Sequence, residues 1–176
     1  ILLYRAISPR QAYAAVLDSA RSTAAVGTLI AGALVFNYVV TIENVPGALR
    51  DLMAGFELNA LGFLIVVNVI LLILGCFLDA STVMLVVVPM FIPTAQALGV
   101  DLVHLGVVVV VNLMIGLITP PYGLLLFVVA NVAGVPLKVI IREIAPFLVV
   151  LLGALMFITF VPESVLWLPR QLGYRG

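Results

Sequence analysis

From Leu58 to Leu98 the chain is almost wholly apolar, and Asp79-Ala80-Ser81-Thr82 interrupts it in the middle. At a helical rise of about 1.5 Å per residue, Leu58–Leu78 is long enough for a hydrocarbon layer roughly 30 Å thick, and Val83–Leu98 nearly so. The rest of the chain keeps the same character: 65% of its 176 residues are hydrophobic, 9% are charged, and the mean hydropathy is +1.35. A soluble domain of this size has too little interior to hide that much apolar surface. The expected fold class is therefore all-α integral membrane, a polytopic helical protein.

Four segments follow from the punctuation. Residues 1–57 hold an interfacial stretch, a first transmembrane helix over Ser22–Ile42 and a surface link with Arg50, Asp51 and Glu57. Ser8-Pro9 reads as a helix start with proline in the first turn, Arg10–Arg21 mixes charge with alanine, and Glu43-Asn44-Val45-Pro46-Gly47 reads as a loop. Residues 58–98 form the interrupted pair. Residues 99–143 begin with a polar link carrying Gly99, Asp101 and His104, in which His104 is expected in a wet loop. An unbroken helix from Val103 to Gly134 would measure roughly 48 Å, so it must break. Thr119-Pro120-Pro121-Tyr122-Gly123 supplies the break, because proline lacks a donor and clashes with the preceding turn while glycine tolerates unusual angles. A cytoplasmic loop with Lys138 and Arg142 follows. Residues 144–176 contain the last span, from about Ile144 with Pro146 in its first turn to Trp167 at the interface, and a tail. Because the chain opens on Ile1 without an initiator methionine or a signal peptide's charged start, it is expected to be part of something longer.

Charge narrows function and orientation. Eight basic and eight acidic residues cancel, leaving no field to hold nucleic acid. Cytoplasmic ends of spans carry excess Lys and Arg, which places Arg5, Arg10, Arg21, Lys138 and Arg142 inside. Glu43, Asp51, Glu57, Asp101 and Glu163 then lie outside with Arg50, Arg170 and Arg175. Charge does not separate a re-entrant hairpin over 58–98 from two full crossings. Cys76 is the sole cysteine and forms no internal disulfide.

Chemistry belongs where polar atoms sit at membrane depth, since a carboxylate there costs at least about 2.5–3.5 kcal/mol. Asp79 either caps the helix that begins near Thr82, or pairs with an Arg elsewhere, or balances a bound cation beside a helix N-terminus open to an anionic group. The double-proline break either is a kink that fits a neighbour or frees carbonyls for a sodium ion, non-helical backbone at that depth being tolerated only when buried in protein or lining a wet cavity. Asn37, Asn68 and Asn112 read as interhelical hydrogen-bonding residues. Asn112 and Gly116, one to two turns before the prolines, are placed to face the same cavity.

The residues Gly75-Cys76-Phe77-Leu78-Asp79, Pro89 and Pro93, Leu98-Gly99-Val100-Asp101-Leu102-Val103-His104-Leu105-Gly106 and Gly116-Leu117-Ile118-Thr119-Pro120-Pro121-Tyr122-Gly123-Leu124-Leu125-Leu126-Phe127 together resemble the second-repeat signature of the DctM-like large membrane subunit of TRAP (tripartite ATP-independent periplasmic) transporters. The likeness covers essentially the whole chain, as the C-terminal half of such a subunit. It implies an elevator-type transporter built from inverted repeats, with a re-entrant helical hairpin over Leu58–Leu98 and a discontinuous helix over Val103–Val135. Carried over residue by residue, Asp79 matches the acidic sodium ligand, Thr119 the start of the unwound segment, and Tyr122 a position that contributes a backbone carbonyl. Tyr122 departs from the small or aliphatic residue expected there. The candidate sodium site is thus Asp79, Gly116, Thr119 and Tyr122, and the candidate substrate contacts are Ser81, Thr82, Pro120 and Pro121.

The implied activity is sodium-coupled uptake of an organic acid, such as a C4-dicarboxylate, in the bacterial inner membrane. Implied partners are a small four-helix membrane subunit and a periplasmic substrate-binding protein; Na+ is the coupling ion and no other cofactor is expected. The alternatives are a binding-protein-independent sodium/dicarboxylate symporter and a membrane scaffold without transport. An intramembrane enzyme is disfavoured, because only Asp79 is a deep carboxylate and a single histidine cannot build a zinc peptidase site.

Overall fold

The structure, a computed structural model, describes residues 8–45, 47, 48, 51 and 59–174. The expected surface link with Arg50 and Glu57, and the orienting charges Arg5 and Arg175, lie outside the described residues. Regular structure within them is helical. Helix α1 spans Pro9–Ile42, and Ser8 opens it with a capping box: its hydroxyl accepts from the Gln11 N–H at 3.2 Å while the Gln11 side chain accepts from the Ser8 N–H at 2.8 Å. The expected boundary near Ser22 is absent. Arg10–Arg21 contains neither glycine nor proline and is rich in alanine, so nothing stops the helix, which runs on for about 51 Å. It ends where the sequence signals a loop, with Asn44 in the left-handed region at φ 50°.

Helices α2 (Ala60–Phe77) and α3 (Ala80–Ala97) form the hairpin. The discontinuous helix consists of α4 (Leu102–Gly116) and α5 (Leu124–Ala133), followed by α6 (Leu137–Phe160) and the short α7 (Glu163–Gln171). α1, α2, α3 and α6 are each long and apolar enough to cross a membrane. α4 lies at the centre because it carries two apolar stripes. Leu105, Val109 and Leu113 recur at four-residue spacing and pack with Phe63, Val67 and Leu71 of α2 and Val83 and Phe91 of α3; Val108 and Ile115 face Leu148 and Leu155 of α6. α2 and α4 run parallel, since Asn68 meets Asn112 and Gly75 meets Gly116.

That register sets where the hairpin turn lies along α6. α6 is about 36 Å long, whereas α4 covers about 22 Å from Asp101 before it breaks. Ile115, next to the break, packs in the same cluster as Ile144 and Leu148, well inside α6. The hairpin therefore turns back alongside the interior of α6, and its two arms, Ala60–Phe77 and Ala80–Ala97, are each long enough to span a membrane. Asp101, Glu163 and Arg170 line one cavity at the opposite end, while Lys138 and Arg142 occupy the far end of α6.

Prolines decide where side chains must reach. A proline at position i cannot donate to the carbonyl at i−4. Pro89 leaves the Leu85 carbonyl without its usual donor, α3 widens into a π-helical turn over Val83–Val87, and Asn37 of α1 donates its amide to that oxygen at 3.2 Å. Pro162 likewise strips the Ile158 carbonyl, and His104 Nε2 donates to it at 2.9 Å. His104 is consequently 2% exposed and not in a wet loop: Asp101 caps α4 three residues earlier and turns the imidazole inward. We expect Asn37→Leu to lower the melting temperature of the detergent-solubilised full-length protein and Pro89→Ala, which restores a donor, to remove most of that effect. A double-mutant cycle that shows additivity would reject the pairing.

The last span also differs from expectation. α6 begins at Leu137, so Lys138 and Arg142 belong to its first turns and Pro146 is interior, its orphaned carbonyl falling on the exposed Arg142. No breaker lies between Pro136 and Pro146 to delay the start. The helix stops at Phe160, before Trp167, because Pro162 pushes Val161 out of the helical region to φ −120°, ψ 80°. Trp167 is exposed on α7.

Candidate functional site

The hairpin tip is a two-residue reversal. Leu78 and Asp79 are extended, and α3 starts at Ala80 with the Asp79 carboxylate as its cap: Oδ2 accepts from the Ser81 N–H at 2.9 Å and the Thr82 N–H at 3.3 Å. One of the roles open to Asp79 is thus realised. Oδ1 accepts no hydrogen bond among the described residues, and the side chain is exposed. Ser81 is exposed beside it and Thr82 half-buried.

The break in the discontinuous helix covers residues 117–123. Pro120 and Pro121 free the carbonyls of Gly116 and Leu117 by the i−4 rule, and both find new donors, the Thr119 N–H at 3.0 Å and the Leu125 N–H at 3.1 Å. The Pro120–Pro121 peptide is cis. Gly123 turns the chain into α5 with φ 36°, an angle that favours glycine. Among the described residues, no backbone N–H donates to the carbonyls of the five residues 118–122. The carbonyls of Thr119 and Tyr122, two of the expected ligand positions, belong to this free set. The Thr119 hydroxyl is committed elsewhere, donating to the Ile115 carbonyl at 2.6 Å. Pro120 is half-buried and Pro121 exposed.

The arm that leads to the tip meets the break. Gly75 and Gly116 touch back to back: a Cβ built on Gly116 would stand 2.8 Å from Gly75 Cα and 2.9 Å from its carbonyl carbon, and one on Gly75 would stand 3.3 Å from Gly116 Cα. A side chain on Gly116 would prevent this approach, and one on Gly75 would strain it. One turn on, the Phe77 and Tyr122 rings pack with centroids 5.1 Å apart and planes at 51°. Gly116 therefore acts here through its missing side chain, its carbonyl being occupied, and the aromatic ring at 122 has a partner that α2 provides. These two contacts bring Gly116 and Tyr122 against the arm that ends at Asp79.

Behind the crossing lies a buried polar relay. Asn112 Nδ2 donates to the Asn68 backbone carbonyl at 2.9 Å and to Asn68 Oδ1 at 2.7 Å; Asn68 Nδ2 donates to Thr159 Oγ1 at 2.9 Å; Thr159 donates to the Leu155 carbonyl at 2.8 Å. The three residues are 0–3% exposed and tie α4, α2 and α6 together. Asn112 Oδ1 is buried without a partner among the described residues. Its two donor bonds contribute about 0.6 kcal/mol each in a membrane setting, while an orphaned buried acceptor costs about 1–3 kcal/mol. The asparagines are the interhelical hydrogen-bonding residues the sequence suggests, and both Asn112 and Gly116 face α2. Thr159 was not foreseen; its only sequence signal is a hydroxyl in an apolar helix. The glycine contact was not foreseen either, since Gly75 and Gly116 are 41 residues apart and nothing local pairs them.

Among the described residues no three His, Cys, Asp or Glu side chains cluster to hold a metal. What the tip and break can offer is a single carboxylate, free carbonyl oxygens and a helix N-terminus, a donor set suited to a hard monovalent cation beside an anion.

A family-wide sequence model for the tripartite ATP-independent periplasmic transporter DctM component matches residues 1–164. The C4-dicarboxylate TRAP transporter large permease protein of Pseudomonas aeruginosa is 40% identical over 173 residues, which are 98% of this chain and 40% of that protein. The sialic acid TRAP transporter large permease protein of Vibrio cholerae is 37% identical over 158 residues, 89% of this chain and 37% of that protein. The isethionate TRAP transporter permease protein of Oleidesulfovibrio alaskensis is 34% identical over 160 residues, 91% of this chain and 25% of that protein. The chain thus spans less than half the length of these relatives. With its apolar helices it is a multi-pass protein of the bacterial inner membrane, and it belongs to the DctM component family of tripartite ATP-independent periplasmic transporters.

Proposed function

We propose that the chain forms the second-repeat half of the permease in a sodium-coupled secondary transporter that takes up an organic acid delivered by a periplasmic binding protein, with a small four-helix subunit as membrane partner. The observation that carries this reading is that the arm ending at Asp79 meets the break, with its free carbonyls, through the Gly75–Gly116 and Phe77–Tyr122 contacts. In this reading Na+ takes Asp79 Oδ1 and the Thr119 and Tyr122 carbonyls. It neutralises the carboxylate and so lowers the cost of carrying the loaded domain past lipid. The substrate carboxylate meets the N-terminal end of α3 near Ser81 and Thr82, with Pro120 and Pro121 shaping the opposite wall.

Relatives named for a dicarboxylate, for sialic acid and for isethionate all carry an acid, which supports an anionic substrate without selecting one. The test is uptake by the full-length permease with its small subunit and binding protein in proteoliposomes, under an inward sodium gradient and with choline in its place. Uptake at least about ten-fold greater with sodium is expected, and it should vanish when the binding protein is omitted. Equal uptake in choline would overturn the coupling, and full uptake without the binding protein would favour a two-component symporter.

A further inference from the structure

The relay behind the site does not touch the tip or the break, yet it shares both of their helices. Asn68 lies two turns before Gly75 on α2, and Asn112 lies one turn before Gly116 on α4. Because the two helices run parallel, the Asn68–Asn112 bonds and the Gly75–Gly116 contact are two fixed points along one crossing. Two fixed points determine both the spacing and the axial register of α2 against α4. A single point would let one helix pivot or slide against the other.

Register matters here because the candidate ligands sit just beyond the crossing: Asp79 is four residues past Gly75 and Thr119 three past Gly116. A slip of one residue along either helix moves its ligand by about 1.5 Å, enough to take an oxygen out of a cation's coordination shell. Thr159 extends the same restraint to α6, the long helix beside the break. Stability alone does not account for the amide at 112. Its two bonds are offset by the orphaned Oδ1, so the amide adds little net stability, and a leucine of the same branched shape would only move the unpaired oxygen to Asn68 Oδ1.

We infer that Asn112 and Asn68 are positioning residues for the cation site: a buried amide clamp that sets the register between hairpin tip and helix break, and through it the affinity for sodium. The inference rests on the proposed sodium-coupled reading. It predicts a particular division of kinetic effects. When the clamp is loosened the site still forms part of the time, so sodium binds more weakly, while transport at saturating sodium is largely kept.

The experiment measures initial uptake by the complete transporter, with its small subunit and binding protein, over a range of sodium concentrations. Asn112→Leu and Asn68→Leu should each raise the half-saturating sodium concentration about ten-fold and change the maximal rate less than about three-fold. The two should be non-additive in the double variant, because they remove one shared interaction. Thr159→Val, which keeps the volume and deletes only the outer link, should give a smaller shift in the same direction, and it serves as the reading should the leucine variants fail to insert. Melting temperature is followed in parallel, since a merely structural role would lower it without moving the sodium half-saturation. Unchanged half-saturation in Asn112→Leu and Thr159→Val, with sodium-dependent wild-type uptake, overturns the clamp alone. Wild-type uptake that ignores sodium overturns the underlying coupling, whatever the variants do.

Discussion

Asp79→Asn in the full-length transporter is expected to reduce sodium-dependent uptake roughly 100-fold or more while leaving the protein inserted and folded. The two roles of Asp79 separate cleanly in this substitution. As a helix cap, asparagine is nearly as good as aspartate, so the bonds to the Ser81 and Thr82 N–H groups survive. As a charge, it is lost. Under the proposed reading, in which the complete transporter encloses the ion, removing its charged partner costs a few kcal/mol, and every 1.4 kcal/mol is ten-fold in affinity. If Asp79 served only as a cap, Asp79→Asn would transport like the wild type and Asp79→Ala would show a loss of about 1 kcal/mol in stability. Uptake assays on the two variants, with melting temperatures beside them, distinguish the roles.

The second large effect is expected at the glycine crossing. Gly116→Ala places a methyl group where Gly75 Cα would be 2.8 Å away, and the obstacle is backbone that no rotamer change can move. α2 and α4 must separate, which carries the hairpin tip away from the break and disturbs the Phe77–Tyr122 contact. Overpacking of this kind costs about 1–3 kcal/mol, and the displacement acts directly on the candidate ligands. Uptake should fall at least about ten-fold, with a lower melting temperature. Gly75→Ala should be milder, because its added carbon would approach Gly116 Cα at 3.3 Å, a distance that a shift of a few tenths of an ångström relieves. A Gly116→Ala protein with wild-type uptake and melting temperature would show that the helices are not held in contact.

The sequence carried the interruptions and not their meeting. Asp79 in an apolar run and Pro120-Pro121 in an overlong one are visible because lipid makes polar atoms and broken backbone costly, and both lie where expected. Helix starts with a local chemical signal were equally legible, as Ser8-Pro9 shows. What could not be read is whatever depends on a partner far along the chain. His104 looks like a loop residue until Pro162, 58 positions later, leaves a carbonyl for it to fill. Helix ends governed by proline were misplaced for a related reason. Pro146 reads as a first-turn proline, but the local sequence from Leu137 favours helix strongly enough that it becomes interior, and the proline that ends the span is Pro162. At the site, the tip and the break were named from residue types, while the contacts that join them, Gly75 with Gly116 and Phe77 with Tyr122, come from helix register alone.

The relay and the crossing give one physical picture of the half-site. α2, α4 and α6 share the Asn112–Asn68–Thr159 bonds and pack through two apolar clusters, whereas α1 is exposed along most of its length and reaches α3 through Asn37. The candidate ligands sit on the tightly joined group.

The most direct measurement is a high-resolution density map of the complete transporter with its small subunit, recorded in sodium and again in choline. Density for an ion within coordinating distance of Asp79 Oδ1 and the carbonyls of Thr119 and Tyr122, present in sodium and lost in choline, is the expected result. Sodium bound elsewhere while those oxygens face bulk water, or a hairpin tip standing apart from the double-proline turn, would contradict it.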